Sequence, residues 1–141
     1  MKNNLIAACL QLTSSSDIYK NLKETIDLSN KAIDKGAFLI STPEVTNIIS
    51  LDRQKLKRSV FLEKDDPFLI EFTKIAKKKS VWILLGSIVI KDNKNKLYNR
   101  SYLINSKGNI QCKYDKIHMF DVKLSLIHIS EPTRRTPISY A

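Results

Sequence analysis

The chain has 141 residues, a formal net charge of +10 and 43% hydrophobic residues, which suits one globular domain or part of a larger one. No apolar run approaches the roughly 20 residues that span a bilayer, so we predict no membrane association. Two cysteines, Cys9 and Cys112, are too few for a disulfide framework, and we expect a reducing, cytoplasmic location.

The positive charge comes mainly from lysines spread along the chain. Lysine supplies 19 of the 24 basic residues, and the one dense cluster, residues 77–79, falls where a helix should end and cations complement its dipole. Nucleic-acid readers concentrate charge on one face and use arginine for bidentate contacts. We therefore predict no nucleic-acid partner. A small basic binding module without catalysis is kept as the alternative to an enzyme.

The first half of the chain predicts two strands separated by a helix. Residues 5–10 form an almost continuous apolar run, which is typical of a strand covered on both faces. Apolar residues then recur at spacings of three and four over residues 18–33, behind N-cap candidates at 14–17 and before Gly36, a helix C-cap signal. Residues 37–41 predict a second short buried strand that ends at Thr42-Pro43-Glu44.

The second half predicts a helix followed by a meander of strands. Asp66 is the N-cap and Pro67 the first residue of the helix, after a polar stretch at 51–64 that predicts a loop and a short helix. Strands are predicted at residues 81–90, 97–105 and 109–115, with Gly108 in the last turn. This order predicts an α/β domain with a mixed sheet. Little chain is left to cover the second face of that sheet, which suggests an incomplete domain.

The last 18 residues, 124–141, differ in composition from the rest. They contain no lysine, whereas residues 1–123 contain all 19, and they hold two of the four prolines. Residues 124–134 also look like a translated sequencing adapter. We expect residues 1–123 to be a partial domain and 124–141 an extraneous tail, and we exclude His128 from any metal argument. A genuine proline-containing tail is the alternative.

Two residues lie at positions where α/β proteins commonly have functional sites. Glu44 directly follows a buried strand, and open α/β sheets bind ligands beyond the carboxyl ends of their strands. Lys116 follows another strand among apolar and aromatic neighbours, as a desolvated ammonium would. The alternatives are a solvated loop carboxylate and a lysine that snorkels to water. His118 has no second histidine ligand nearby, so we predict a structural histidine and no metal site.

Four segments together resemble a known family. Residues 8–12, 35–37, 42–44 and 114–121 (Tyr-Asp-Lys-Ile-His-Met-Phe-Asp) resemble the opening half of the nitrilase superfamily of carbon–nitrogen hydrolases. The last segment is similar to the Nit branch, which includes ω-amidases and deaminated-glutathione amidases. The resemblance runs from about residue 4 to 122 and covers less than half of a family domain. It implies the N-terminal part of a truncated αββα sandwich.

The resemblance also implies a site and a reaction. The family uses a Glu-Lys-Cys triad, to which Glu44 would supply the general base and Lys116 the oxyanion-stabilising cation. The expected reaction is hydrolysis of a small amide through a thioester acyl-enzyme with release of ammonia, without a cofactor or metal, by a homo-oligomer, most simply a dimer. The residues that bind the substrate are not predicted.

The family's cysteine nucleophile and second glutamate belong downstream of Val122 and are absent. Cys112 precedes Lys116 within the same strand and is interpreted as a packing group, and Cys9 as a small hydrophobe in a buried strand. We therefore expect the 141-residue chain to be inactive. A catalytically dead relative that serves as an interaction protein is a third reading, which requires a genuine tail.

Overall fold

The computed structural model describes residues 4–117, which form one five-stranded sheet with three α-helices. The spatial order of the strands follows the chain, with β1 to β3 parallel and β3 to β5 antiparallel. This arrangement confirms the α/β class and the mixed sheet predicted from the sequence. The strands are β1 (Ala7–Cys9), β2 (Leu39–Ser41), β3 (Trp82–Lys91), β4 (Leu97–Ile104) and β5 (Ile110–Asp115).

The first and third helices begin and end at the predicted signals, and the second is the short helix predicted within residues 51–64. They are α1 (Ile18–Asp34), α2 (Arg53–Ser59) and α3 (Pro67–Lys79), with a single 3-10 turn at Glu63–Asp65. The Asp17 carboxylate accepts the N–H groups of the first turn of α1, and Gly36 follows that helix with a φ of 88°. The three lysines at 77–79 occupy the last turn of α3, as predicted. No helix within residues 4–117 is long and apolar enough to cross a membrane.

One face of the sheet forms the core. Side chains that alternate along β2, β3 and β4 on this face are completely buried and join buried residues of α1 and α3 in one apolar cluster. Helices α1 and α3 therefore lie on this side of the sheet. The fully buried residues of the strands on this face are Ile40, Ile83, Leu85, Ile88, Tyr102 and Ile104.

The other face, called the open face below, is covered only at one end, where Val89 and Asn99 are buried. Its apolar side chains on the central strands are partly exposed: Leu39, Trp82, Leu84 and Leu103. Within residues 4–117, β1 and β2 are therefore not buried on both faces, which agrees with the expectation that little chain is left to cover the second face. Cys9 and Cys112 are exposed in strands at opposite ends of the sheet, so neither is the buried packing group that the sequence suggested. An apolar run does not specify which packing layers surround a strand.

The N-cap residue of α3, Asp66, is a carboxyl buried in the core, and its pKa links the stability of the fold to pH. Asp66 is fully buried, and its Oδ1 accepts the Leu69 N–H at 3.1 Å, whereas Oδ2 has no hydrogen-bond partner among the described residues. Burial raises the pKa of this carboxyl from 3.8 to about 6. A pKa that is higher in the folded state means that its stabilising contribution is complete below pH 3.8 and is lost as the pH rises through 6.

We expect Asp66→Asn to increase the free energy of unfolding at pH 8 by about 1–3 kcal/mol and to change it little near pH 4. Asparagine retains the N-cap acceptor but carries no charge to desolvate. Urea denaturation at both pH values measures the difference. Asp52→Asn at the N-cap of α2 is the matched control, since backbone N–H groups lower the pKa of that exposed carboxyl. That substitution should destabilise at pH 8, and equal effects of the two variants would contradict the argument.

Candidate active site

Glu44 and Lys116 are in direct contact on the open face. Lys116 Nζ donates a hydrogen bond to Glu44 Oε1 at 2.5 Å, although 72 positions separate the two residues. Glu44 lies just beyond the carboxyl end of β2 and Lys116 just beyond that of β5. The structure therefore brings together the two residues that the sequence singled out.

The turn that carries Glu44 is held on β3. Val45, a β-branched residue, adopts a φ of 54°, a left-handed conformation that is strained for its side chain. Ser87 compensates on both sides of it: its hydroxyl accepts the Val45 N–H at 2.8 Å and its carbonyl accepts the Thr46 N–H at 2.9 Å. The Ser87 N–H donates to the Pro43 carbonyl at 3.2 Å. These three hydrogen bonds fix the direction in which the Glu44 side chain leaves the backbone.

Asn99 on β4 is a third member of the site that sequence reasoning missed. The whole residue is 6% exposed, and its Nδ2 donates to Glu44 Oε1 at 2.9 Å. Its backbone carbonyl accepts the Lys116 N–H at 2.9 Å. Asn99 thus contacts both candidate residues. A lone asparagine between a tyrosine and an arginine gives no signal in the sequence; only the register of β4 places it there.

The charges of the site stabilise an ionised carboxylate. The hydrogen bond from Lys116 is the main cause that lowers the pKa of Glu44 below its ordinary value; the charge of Lys116 and the hydrogen bond from Asn99 lower it further. Partial burial acts in the opposite direction. At neutral pH the site therefore presents a carboxylate that can accept a proton beside an ammonium that can stabilise developing negative charge.

The end of β5 is anchored next to Lys116 by an ion-pair network on the core side of the sheet. Arg100 donates to both carboxylate oxygens of Asp115, at 2.5 and 2.8 Å, and to Glu63 at 2.7 Å. Lys113 donates to the same glutamate at 2.7 Å. A bidentate arginine–carboxylate pair fixes direction as well as distance. Because Asp115 immediately precedes Lys116, its bidentate pair with Arg100 restrains the backbone from which the ammonium extends.

A cavity of about 430 Å³ lies beside the contacting pair. Its wall is mostly apolar, and its polar lining residues are Glu44, Ser50, Asn99 and Lys116. An apolar wall with a few convergent polar groups is suited to a small organic molecule whose reacting group faces the charges. The apolar lining residues are Val45, Ile48, Ile49, Leu56, Val89 and Leu97.

No thiol of the described residues accompanies this pair. Cys112 lies four residues before Lys116 on the same strand face, so their Cα atoms are about 13 Å apart. Cys9 lies on the strand at the opposite edge of the sheet. Within residues 4–117 no group of three or more His, Cys, Asp or Glu residues is placed to hold a metal ion. His118 and His128 lie outside the described residues, as does the 124–141 segment.

Comparison with known proteins gives a consistent result. A carbon–nitrogen hydrolase family model matches residues 6–138. The chain is 32% identical over 130 residues to a deaminated glutathione amidase from Yersinia enterocolitica, covering 91% of this chain and 44% of that protein. It is 32% identical over 128 residues to the NitFhit fusion protein of Drosophila melanogaster, covering 90% of this chain and 27% of that protein. The chain thus spans less than half the length of these curated relatives.

Solved structures share the fold. The Caenorhabditis elegans NitFhit crystal structure superposes with a TM-score of 0.72 and 25% identity, over 84% of this chain and 29% of that one. An amidase from Nesterenkonia sp. superposes with a TM-score of 0.69 and 20% identity, over 82% of this chain and 44% of that one. The five-stranded mixed sheet and its helices are therefore a nitrilase-type arrangement that accounts for part of each larger protein.

Proposed function

Because the chain belongs to the carbon–nitrogen hydrolase family, we propose that it is part of an amidase in which Glu44 and Lys116 act on a small amide. The observation that supports this most directly is the 2.5 Å contact between Lys116 Nζ and Glu44 Oε1 beside the apolar cavity. We further propose that a cysteine thiol outside residues 1–123 completes the site, since both cysteines within that range lie away from it.

In the proposed reaction Glu44 takes the proton of the attacking thiol. The sulfur forms a bond to the amide carbon, and Lys116 stabilises the negative charge that develops on the oxygen. Glu44 then delivers the proton to the departing nitrogen, so that ammonia leaves and a thioester remains. A water molecule, deprotonated by the same carboxylate, hydrolyses the thioester. One carboxylate thus serves both half-reactions.

The proposed substrate is a small amide with an uncharged segment next to the reacting carbon. The cavity beside the pair is lined mainly by aliphatic side chains, and among residues 4–117 Lys116 is the one cation in that lining. The deaminated glutathione amidases among the relatives make ω-amides the first compounds to test.

The test compares two proteins: the 141-residue chain, and the protein encoded by the source locus when its reading frame is followed through codon 123. We expect the longer protein to release ammonia from α-ketoglutaramate or cysteinylglycine from deaminated glutathione, and a thiol-alkylating reagent to abolish this activity. We expect the 141-residue chain to release none. A folded longer protein that hydrolyses no small amide would overturn the proposed function, and an active 141-residue chain would overturn the proposed location of the nucleophile.

A further inference from the structure

The two oxygens of the Glu44 carboxylate have different surroundings. Oε1 accepts hydrogen bonds from both Lys116 Nζ and Asn99 Nδ2. Among residues 4–117 no hydrogen bond reaches Oε2. A carboxylate held by two donors on one oxygen loses rotational freedom, and its second oxygen keeps its full capacity to accept a proton.

Asn99 is the buried donor of the two. The whole Asn99 residue is 6% exposed, whereas the Lys116 side chain is 35% exposed and the Glu44 side chain 54%. The Oδ1 atom of Asn99 is buried and has no hydrogen-bond partner among the described residues. Among residues 4–117, the Asn99 amide therefore makes a single side-chain hydrogen bond, the one to Glu44. Its orientation is determined as well, because a carboxylate only accepts hydrogen bonds and so must face the Nδ2 group.

The backbone of Asn99 adds a second link. Its carbonyl accepts the Lys116 N–H at 2.9 Å, and Asn99 is paired with Val89 in the β3–β4 ladder. One rigid strand residue thus fixes the carboxylate through its side chain and the start of the Lys116 residue through its backbone. A group held by packing and ladder bonds maintains site geometry more accurately than an exposed, flexible side chain.

We propose that Asn99 is a positioning residue. Together with Lys116 it hydrogen-bonds Oε1 of Glu44, so that Oε2 of Glu44 is the oxygen that accepts and returns the proton. This inference rests on the proposed amidase function. In the transfer, the bond between the nucleophile and its hydrogen breaks, its electron pair stays on the nucleophile, and an O–H bond forms at Oε2. The reverse transfer gives the proton to the leaving nitrogen. Oε1 keeps both donors throughout, so the carboxylate does not have to rotate between the two steps.

Titration of the Glu44 carboxyl by ¹³C NMR in the 141-residue chain tests the positioning role without turnover. We expect Asn99→Leu, which preserves size but donates no hydrogen bond, to raise the pKa of Glu44. Asn99→Asp should raise it further, because a second carboxylate then faces the first. Ser101→Ala is the matched control: Ser101 lies on the same strand and face but donates to the Gly86 carbonyl, so the pKa of Glu44 should not move.

Kinetics of the longer protein provide the second measurement. We expect Asn99→Leu to reduce kcat about 10- to 100-fold with little change in KM and to shift the acidic limb of the pH–rate profile to higher pH. If Asn99→Leu does not fold, Asn99→Asp carries both measurements, since it keeps the side-chain size. An unchanged pKa of Glu44 and an unchanged acidic limb would overturn the positioning role even in an active enzyme. A shifted pKa in a protein that hydrolyses no amide would instead refute the proposed function and leave the positioning role standing.

Discussion

Replacement of Gly86 by alanine is expected to lower the free energy of unfolding by about 3 kcal/mol and to separate Glu44 from Lys116. A Cβ atom at this position would lie 2.0 Å from the Thr42 carbonyl oxygen and 2.8 Å from that of Pro43. Both contacts are with backbone, which cannot rotate away as a side chain can. The Thr42–Glu44 segment would have to leave β3 and lose the bond from the Gly86 N–H to Thr42 Oγ1, 3.1 Å long.

Strand propensity alone predicts the opposite effect of Gly86→Ala, an increase in the free energy of unfolding, so the measurement distinguishes the two arguments. Alanine in place of a strand glycine should stabilise by about 0.5–1 kcal/mol where space allows. Ser101→Ala serves as the control, since it removes the 2.6 Å bond to the Gly86 carbonyl without adding an atom. Its cost should be about 1 kcal/mol. Urea denaturation of the three proteins gives the order; a Gly86→Ala protein as stable as the parent would show that the turn is not seated on β3 as described.

The helices could be predicted from the sequence because their determinants are local. Asp17 and Asp66 cap helices through their own first turns, and Gly36 follows one with the positive φ that glycine permits. Strands β3 to β5 could also be predicted, since segments of β-branched and apolar residues are separated there by short runs of turn residues. Each of these features depends on residues no more than four positions away.

The parts that could not be predicted depend on contacts between distant residues. The strand predicted at residues 81–90 is confirmed as β3, but the shift of the β3–β4 register between Leu85 and Ile88, where Gly86 and Ser87 hold the Glu44 turn, was not predicted. A glycine inside a strand pattern is a signal for a bulge or a close backbone approach, so this feature could have been found. Asn99 could not, because its role follows from the strand register.

The burial of the cysteines was predicted wrongly for a related reason. A run such as residues 5–10 shows that a strand is apolar, but whether a second layer covers it depends on elements far away in the sequence. In the described structure α1 and α3 pack on one face, and the other face carries both the partly exposed apolar residues and the Glu44–Lys116 pair. The candidate site thus lies on the face that the second layer of an αββα sandwich is expected to cover.

The largest effect on activity is expected from Glu44→Gln in the longer protein, where kcat should fall by about 10²–10⁴-fold because no group remains to move the proton. Lys116→Ala should lower kcat by about 10²–10³-fold, since its contribution grows as charge develops on the substrate oxygen. The double variant should be scarcely slower than Glu44→Gln alone, because residues that act as a unit are not additive. Steady-state ammonia release measures all three variants.

A second ion pair involving β5 serves as the control that distinguishes a structural role of the Glu44–Lys116 pair from a catalytic one. Lys113 and Glu63 are 2.7 Å apart with side chains 51% and 30% exposed, comparable to the 35% and 54% of Lys116 and Glu44. Exposed pairs of this kind contribute about 0–1 kcal/mol to stability, so Lys113→Ala and Lys116→Ala should have similar melting temperatures. Only Lys116→Ala should lose activity, and Cys112→Ser should retain it. Equal losses of activity in Lys113→Ala and Lys116→Ala would mean that β5 needs both ion pairs to fold and that Lys116 has no special catalytic role. Loss of activity in Cys112→Ser would mean that Cys112, and not a cysteine outside residues 1–123, is the nucleophile.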